Sequence, residues 1–369
     1  MRNSSYRIAI MGIRGIPANY GGFETLAEQL APNLAERGYD MTVYCRSNII
    51  KYRGDTYKGV KLVILPTISN KYLDTVFHTF LCVLHSLFRR YNVIFILNAA
   101  NSIFAILPRI FGKKVVVNVD GIERERKKWN ALGKAWYLMG EIFSVIFPNE
   151  IVTDAKVIQN YYRNRYHKES NLISYGASTE RASSQSSLIK FGIKPNDYLL
   201  YVSRLEPENN AHIVLKAFNQ VKTNMRLVIV GDAPYASEYI SSLKSVKDKR
   251  VIFTGFVFGQ GYKEFLSHAY CYIHATEVGG THPALIEAMG IGNTVIVNGT
   301  PENIEVLGGA GLMYKKNDVE DLRQRIQFII DTPQLKNRFG NKAQERIENY
   351  YNWKTIIDQY EKLFIDLAG

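Results

Sequence analysis

Four glycines crowd the stretch GIRGIPANYGGFE, Gly12 to Glu24, which follows a short apolar run and leads into a helical pattern near Phe23. Glycines at such a junction let the backbone approach a ligand, and the amides at a helix start attract an anion. A tight turn accounts for one glycine but poorly for all of Gly12, Gly15, Gly21 and Gly22. A second run, HATEVGGTHPALIEAMG from His274 to Gly290, repeats the form. Gly279, Gly280 and Thr281 make a pliant approach, and Pro283 suits the first turn of a helix running through Met289. Amides at that helix start suit a diphosphate. Glu287, one turn further in, can accept both hydroxyls of a ribose; taken alone it reads sooner as a solvent-facing glutamate, and its setting after a glycine loop reverses that order. Arg204 closes the apolar run in YVSRLEPENN, where an arginine either clamps phosphate or makes a surface ion pair.

Several chemistries are excluded by what is missing. No G-x-G-x-x-G follows the first strand, and the second strand ends at Arg46 instead of the acid that holds an adenosine ribose. An NADP-linked oxidoreductase accepts an arginine there and remains a rival, recognisable by its response to NADPH. No D-x-D occurs, and the seven histidines show no pairing with acids at metal-ligand spacing. His78 and His85, seven apart, read as ordinary helix residues. Charge on a leaving group then falls to Arg204 and helix amides, with no metal expected. A serine hydrolase lacks its G-x-S-x-G.

The elements that must position these residues alternate along the whole chain. Short Val- and Ile-rich runs predict strands over 7–12, 41–45, 61–65, 93–97, 114–119 and 150–153, with helices over 23–37 and 73–90 between them. The pattern restarts with strands over 199–203, 227–231, 251–254, 271–274 and 294–298. Strands apolar on both faces, separated by helices, mean parallel sheets covered on both sides. The polar stretch STERASSQSS, Ser178 to Ser187, has no period and reads as a linker. Expected domains are therefore residues 1–177, 178–350 and a terminal helix over 351–369, after helices over 319–331 and 334–350. Doubly wound units bind ligands at the carboxyl ends of their strands, so a cleft between two such units is the expected site.

The 369 residues, 46% hydrophobic and 22% charged, describe a folded protein and exclude disorder and collagen-like repeats. No repeat of 20–50 residues points to a solenoid or propeller. Three scattered cysteines (Cys45, Cys82, Cys271) make neither a disulfide framework nor a zinc cluster, which fits a reducing cytosol. The N-terminal apolar run stops at Arg14, unlike a signal peptide, and no apolar run is long enough to span a bilayer. The net charge of +12 is lopsided: residues 1–180 hold 24 Lys and Arg against 14 Asp and Glu, whereas residues 181–369 hold 22 against 20. That asymmetry implies an anionic partner for the first half, unless it is simply a soluble basic surface. Leu73, Val76, Phe77, Phe80, Leu81, Leu84, Leu87 and Phe88 recur at helical spacing and end at Arg89 and Arg90. IFAILPRIFGKK (103–114) and RERKKW (124–129) add apolar and basic residues. Such a helix is ordinarily core; with the charge of this half, docking on an anionic membrane surface is the alternative.

At GGFE, SRLEPENN and THPALIEAMG the chain resembles retaining glycosyltransferases of family 4, and IRGIPANYGGFE, NVDGIERERKKW and EVGGTHPALIEAMG are similar to bacterial rhamnosyltransferases of polysaccharide synthesis. The resemblance spans the chain, including NWKTIIDQYEKLF, which is like the last helix of this fold that crosses back onto the first domain. It implies an α/β GT-B fold of two facing, doubly wound Rossmann-like domains. It also implies metal-independent transfer of L-rhamnose from dTDP-L-rhamnose to a lipid-diphosphate-linked saccharide, peripherally at the cytoplasmic face of the cell membrane. A UDP-hexose donor is the alternative within the family. Glu287 matches the second glutamate of the E-x7-E motif, which holds the ribose; the first falls on Gly279, with Glu277 two residues early. Donor contacts then pass to Gly280, Thr281 and His282. Arg204 matches the phosphate-clamping arginine, Asn209 stands where a lysine is expected, and Gly21 and Gly22 match the glycine pair beside the donor phosphate. Asp120, in NVDGIE, falls where many relatives carry a histidine near the sugar. It either orients the acceptor hydroxyl and takes its proton, or caps a turn with Gly121. Retention implies front-face attack, with the leaving diphosphate helping to take the proton. A pseudoenzyme that binds nucleotide without turnover, or a nucleic-acid binder with steeply salt-dependent affinity, is a rival; no nucleic-acid motif is visible.

Overall fold

The computed structural model describes residues 6–18, 21–52, 54–68, 70, 73–233 and 236–369; Asn19 and Tyr20 of the glycine-rich stretch lie outside these. The chain forms two compact units. The first comprises residues 1–125, 129–175 and 353–369, and the second residues 126–128 and 176–352.

Along the first unit come β1 (Arg7–Met11), α1 (Gly22–Glu36), β2 (Asp40–Arg46), β3 (Thr56–Tyr57), β4 (Val60–Leu65), α2 (Asp74–Leu87), β5 (Val93–Leu97), α3 (Ile106–Ile110), β6 (Lys114–Asn118), α4 (Ala131–Ile146), β7 (Glu150–Thr153), α5 (Lys156–Tyr166) and β8 (Asn171–Leu172). The second unit follows with α6 (Ser186–Lys190), β9 (Tyr198–Val202), α7 (Ala211–Phe218), β10 (Arg226–Val230), α8 (Ser237–Lys244), β11 (Val251–Gly255), α9 (Gly259–His268), β12 (Cys271–His274), α10 (Pro283–Gly290), β13 (Val295–Asn298), α11 (Pro301–Leu307), β14 (Leu312–Tyr314), α12 (Val319–Asp331) and α13 (Gln334–Tyr350). The chain then returns to the first unit as α14 (Trp353–Ala368).

Among the described residues the first sheet has eight strands in the order β3-β4-β2-β1-β5-β6-β7-β8, parallel except for the β3–β4 pair. The second has six in the order β11-β10-β9-β12-β13-β14, all parallel. In each, the first strand lies inside and the chain winds first to one side and then to the other. The order therefore reverses between β1 and β5, and between β9 and β12. Loops leaving those strands part company there, which opens a crevice for ligands at their carboxyl ends.

Burial follows the double covering. β1, β5 and β12 are buried nearly throughout, and α1 lays Leu26, Ala27, Leu30 and Leu34 on the first core. α14 closes that core: the rings of Tyr360 and Phe364 lie 5.3 and 5.5 Å from Phe95, and Asn118 donates to the Tyr360 hydroxyl at 3.1 Å. Arg37 of the first unit pairs with Asp358 at 2.7 Å on the same helix.

α2 departs from the ordinary amphipathic plan. Its buried residues are His78, Thr79, Cys82, Val83 and Ser86, while Leu73, Phe80 and Phe88 at the ends and middle of the apolar stripe face outward. The other five residues of the stripe, Val76, Phe77, Leu81, Leu84 and Leu87, are half-buried. Hydrogen bonds hold the inward face: His78 Nε2 lies 3.1 Å from the Cys45 carbonyl, and Arg46 reaches Asp74 at 2.6 Å and Thr75 at 3.0 Å. α4 is built likewise, with Gly133, Tyr137, Gly140, Glu141 and Ser144 buried and Leu132, Met139, Ile142 and Ile146 exposed.

Candidate active site

The switch point of the second sheet carries the densest chemistry. β9 ends at Val202 and delivers Arg204; its neighbour β12 ends at His274 and delivers the loop to α10. Gly231, at the end of β10, lets the turn at Ser203 come close: a Cβ there would lie 1.8 Å from the Ser203 carbonyl oxygen. The Arg204 loop curls into a 3₁₀ turn over Pro207–Asn209. Arg204 Nη2 lies 3.8 Å from Glu206 Oε2. Asn209 is buried, donating from Nδ2 to the Arg204 carbonyl at 2.7 Å, while its own carbonyl accepts from Tyr201 at 2.6 Å. Its role is therefore to hold the arginine's backbone.

The loop after β12 is set by a cluster of asparagines. Asn210 and Asn298 both donate to the Ala275 carbonyl at 3.0 Å and to Asn317 Oδ1, and Asn303 donates to the Thr276 carbonyl at 3.0 Å. Glu277 donates its amide to the Glu208 carbonyl at 3.0 Å. Its carboxylate is held by Asn317 and Lys127; despite burial, these partners keep it below the usual carboxylate range. The asparagines went unnoticed in the sequence. Their only signal is the EPENN pair and a preference for left-handed backbone, realised at Asn210 and Asn317 with φ of 61° and 59°.

At the end of this loop α10 starts with His282 as its N-cap and Pro283 in its first turn. A Cβ on Gly279 would come within 2.4 Å of Cε1 of His282, so the imidazole fills the space that a side chain at 279 would need. The His282 ring lies 4.8 Å from that of buried His274, whose Nε2 has no hydrogen-bond partner among the described residues. Burial drives both imidazoles toward the neutral form, His274 to about 3; for His282, His274 and the guanidiniums of Arg126 and Arg204 add to it. Thr281 is buried and Gly280 sits beside it. Glu287 accepts from the Tyr262 hydroxyl at 2.6 Å, and burial pushes its carboxyl up to about 7.

Residues 126–128, from the basic run RERKKW, belong to this unit and meet its acids. Arg126 lies 3.9 Å from Glu208, Lys127 pairs with Glu277, and Lys128 lies 3.4 Å from Glu206. Glu208 is fully buried, with neither carboxylate oxygen in a hydrogen bond among the described residues.

In the first unit the glycine-rich loop occupies the β1–β5 switch point. Gly12 adopts φ 89°, and a Cβ there would strike the Leu97 carbonyl of β5 at 2.4 Å. Glu24 and Glu28 of α1 draw the loop down, accepting from the amides of Arg14 and Ala18 at 2.9 Å. Gly21 is the N-cap of α1 and Gly22 its first residue. Asp120 follows β6 with φ 56° and donates its amide to Asn118 Oδ1 at 3.0 Å, so the side chain that holds this turn is that of Asn118. Asp120, Asp154 and Glu24 lie close enough to buried Tyr175 to raise its hydroxyl further after burial has done so. Arg46, weighed as a ligand for a 2′-phosphate, is buried and committed to Asp74 and Thr75.

Two doubly wound parallel units, one bringing an arginine and a helix start to its switch point, define the GT-B class of fold. Residues 186–346 match the family described as Glycosyl transferases group 1, and residues 5–178 match a Domain of unknown function (DUF1972). An uncharacterized glycosyltransferase of Methanocaldococcus jannaschii is 22% identical over 95% of this chain and 96% of its own length. The N-acetylgalactosamine-N,N'-diacetylbacillosaminyl-diphospho-undecaprenol 4-alpha-N-acetylgalactosaminyltransferase of Campylobacter jejuni is 23% identical over 72% of this chain and 74% of its own. Among solved structures, the sucrose-phosphate synthase of Thermosynechococcus elongatus superposes with a TM-score of 0.84 at 18% identity, covering 98% of this chain and 99% of that one. The protein has the GT-B fold and is a glycosyltransferase, its second unit matching the group 1 family.

Proposed function

We propose that the protein transfers L-rhamnose from dTDP-L-rhamnose to a lipid-diphosphate-linked saccharide at the cytoplasmic face of a membrane, with retention and without a metal ion. The observation that carries the choice of sugar is the imidazole of His282 in the place of a side chain at 279, with Glu277 drawn off by Lys127 and Asn317. A hexose offers a 6-hydroxyl that wants an acceptor such as the missing glutamate. A 6-deoxy sugar presents a methyl group, which a neutral, buried imidazole accommodates. The lipid-linked acceptor is supported by the diphospho-undecaprenol in the name of the Campylobacter relative and by the outward apolar faces of α2 and α4.

In this scheme the α10 start, with Gly280 and Thr281, and Arg204 receive the diphosphate, and Glu287 the ribose. An acceptor hydroxyl oxygen bonds to the anomeric carbon as the bond to the diphosphate oxygen breaks, and its proton passes to that departing oxygen. Asp120 orients the acceptor. Cationic and amide groups balance the leaving charge, so no metal is called for.

The test is transfer to a lipid-diphosphate saccharide from dTDP-rhamnose, UDP-N-acetylgalactosamine or UDP-glucose, each with and without EDTA. Product from dTDP-rhamnose alone, undiminished by EDTA, is expected. Product from a UDP sugar alone overturns the sugar, and loss with EDTA overturns metal-free transfer. Arg204→Ala should lower kcat by about 10²–10³, the usual cost of removing one group that stabilises developing charge.

A further inference from the structure

We propose that Lys128 supplies a second cation, beside Arg204, to the donor diphosphate site; this rests on the donor site proposed above. Asn209 cannot do it. It is neutral, buried, and spent on the Arg204 carbonyl. A single arginine leaves a diphosphate, with two or more negative charges, poorly balanced in a partly desolvated site.

The geometry brings the missing charge from elsewhere in the sequence. Glu206 stands between two cations: Lys128 Nζ lies 3.4 Å from its Oε1, and Arg204 Nη2 3.8 Å from its Oε2. One carboxylate thus gathers both cations at the switch point of the second sheet, and all three side chains are mostly withdrawn from water. The neighbouring bases are differently placed, Arg126 against Glu208 and Lys127 against Glu277. Glu206 works as a placeholder. A diphosphate brings more charge and more acceptor oxygens than one carboxylate, so it takes over both cations when it binds. The basic run RERKKW therefore acts in donor binding through Lys128, and residues 125 and 129 on either side of the segment belong to the other unit.

Calorimetric titration of the full chain with dTDP, UDP, thymidine and uridine tests this. Lys128→Ala should weaken the diphosphate that the wild type prefers at least tenfold, and leave the matching nucleoside within twofold. Lys128→Arg should restore diphosphate affinity to within about threefold. Lys128→Gln, which keeps the aliphatic stem, repeats the measurement should the alanine variant melt early. Unchanged diphosphate affinity in a folded variant overturns the role of Lys128 and leaves the donor site standing. Equal loss for diphosphate and nucleoside marks a structural effect and also overturns it. A wild type that binds neither diphosphate overturns the donor site, and Lys128's role with it.

Discussion

Glu287 shows how one residue can tie stability and ligand affinity to pH. Burial holds its carboxyl at about 7 instead of 4.5, so the folded chain keeps a proton that the unfolded chain has lost. The associated stability is fully present below about pH 4.5 and is lost as pH rises to 7, a change of at most about 3 kcal/mol. Glu287→Gln removes this dependence. Urea unfolding at pH 5, 6, 7 and 8 should show the variant gaining on the wild type up to pH 7 and running parallel above it. A ribose that donates to this carboxylate favours its ionised form. Wild-type affinity for the donor nucleotide should therefore climb between pH 6 and 8 more steeply than that of Glu287→Gln, which cancels titration of the nucleotide itself. A constant difference in stability across the range would refute the buried carboxyl.

At the scale of elements, close backbone approaches decide where the site can form. Gly231 follows β10 at φ 136°, and its bare α-carbon faces the Ser203 carbonyl just before Arg204. Gly231→Ala must push that carbonyl away and strain its own backbone, at a cost of about 1–3 kcal/mol. The shift passes directly to Arg204, so nucleotide affinity should fall by more than the loss in the urea midpoint alone explains. An alanine variant with wild-type affinity would show that the turn is not what positions the arginine. Much of this framework was legible beforehand. The strands over 93–97, 150–153 and 271–274 and the helices over 319–331 and 334–350 appear with the expected bounds, because long apolar or periodic runs outweigh local chance. β3, β8 and β14 went unread, since two or three residues carry no period. The glycine loops and Arg204 stood out by type and spacing. Lys128 and the asparagine cluster did not, because their partners lie as far as 107 residues away.

For the molecule as a whole, the lopsided charge acquires a surface. α2, α3 and α4 all pack against the 3₁₀ segment Ala99–Ala105, and each turns large apolar side chains outward: Phe88 at 88% exposure, Ile110 at 71% and Leu132 at 79%. Arg89, Arg90, Arg109, Lys114 and Lys134 are exposed on the same elements or at their ends. No helix among the described residues is long and apolar enough to cross a membrane. The membrane docking proposed above sets these apolar residues and cations in the headgroup layer of an anionic leaflet, where each basic residue near the surface contributes about 1 kcal/mol. Arg89→Gln with Arg90→Gln should then cost about 2 kcal/mol, roughly thirtyfold in partitioning to vesicles containing phosphatidylglycerol. Both side chains are exposed, so the melting temperature should hold, and transfer to a water-soluble acceptor analogue should stay at the wild-type rate. Sedimentation with vesicles separates the cases: equal binding to neutral phosphatidylcholine and to anionic vesicles would rule out the charged leaflet. Wild-type partitioning by the double variant would place the membrane contact on some other face. The expected pattern, loss of lipid-linked transfer with soluble transfer intact, would tie the basic first half to presentation of the acceptor and leave the donor site untouched.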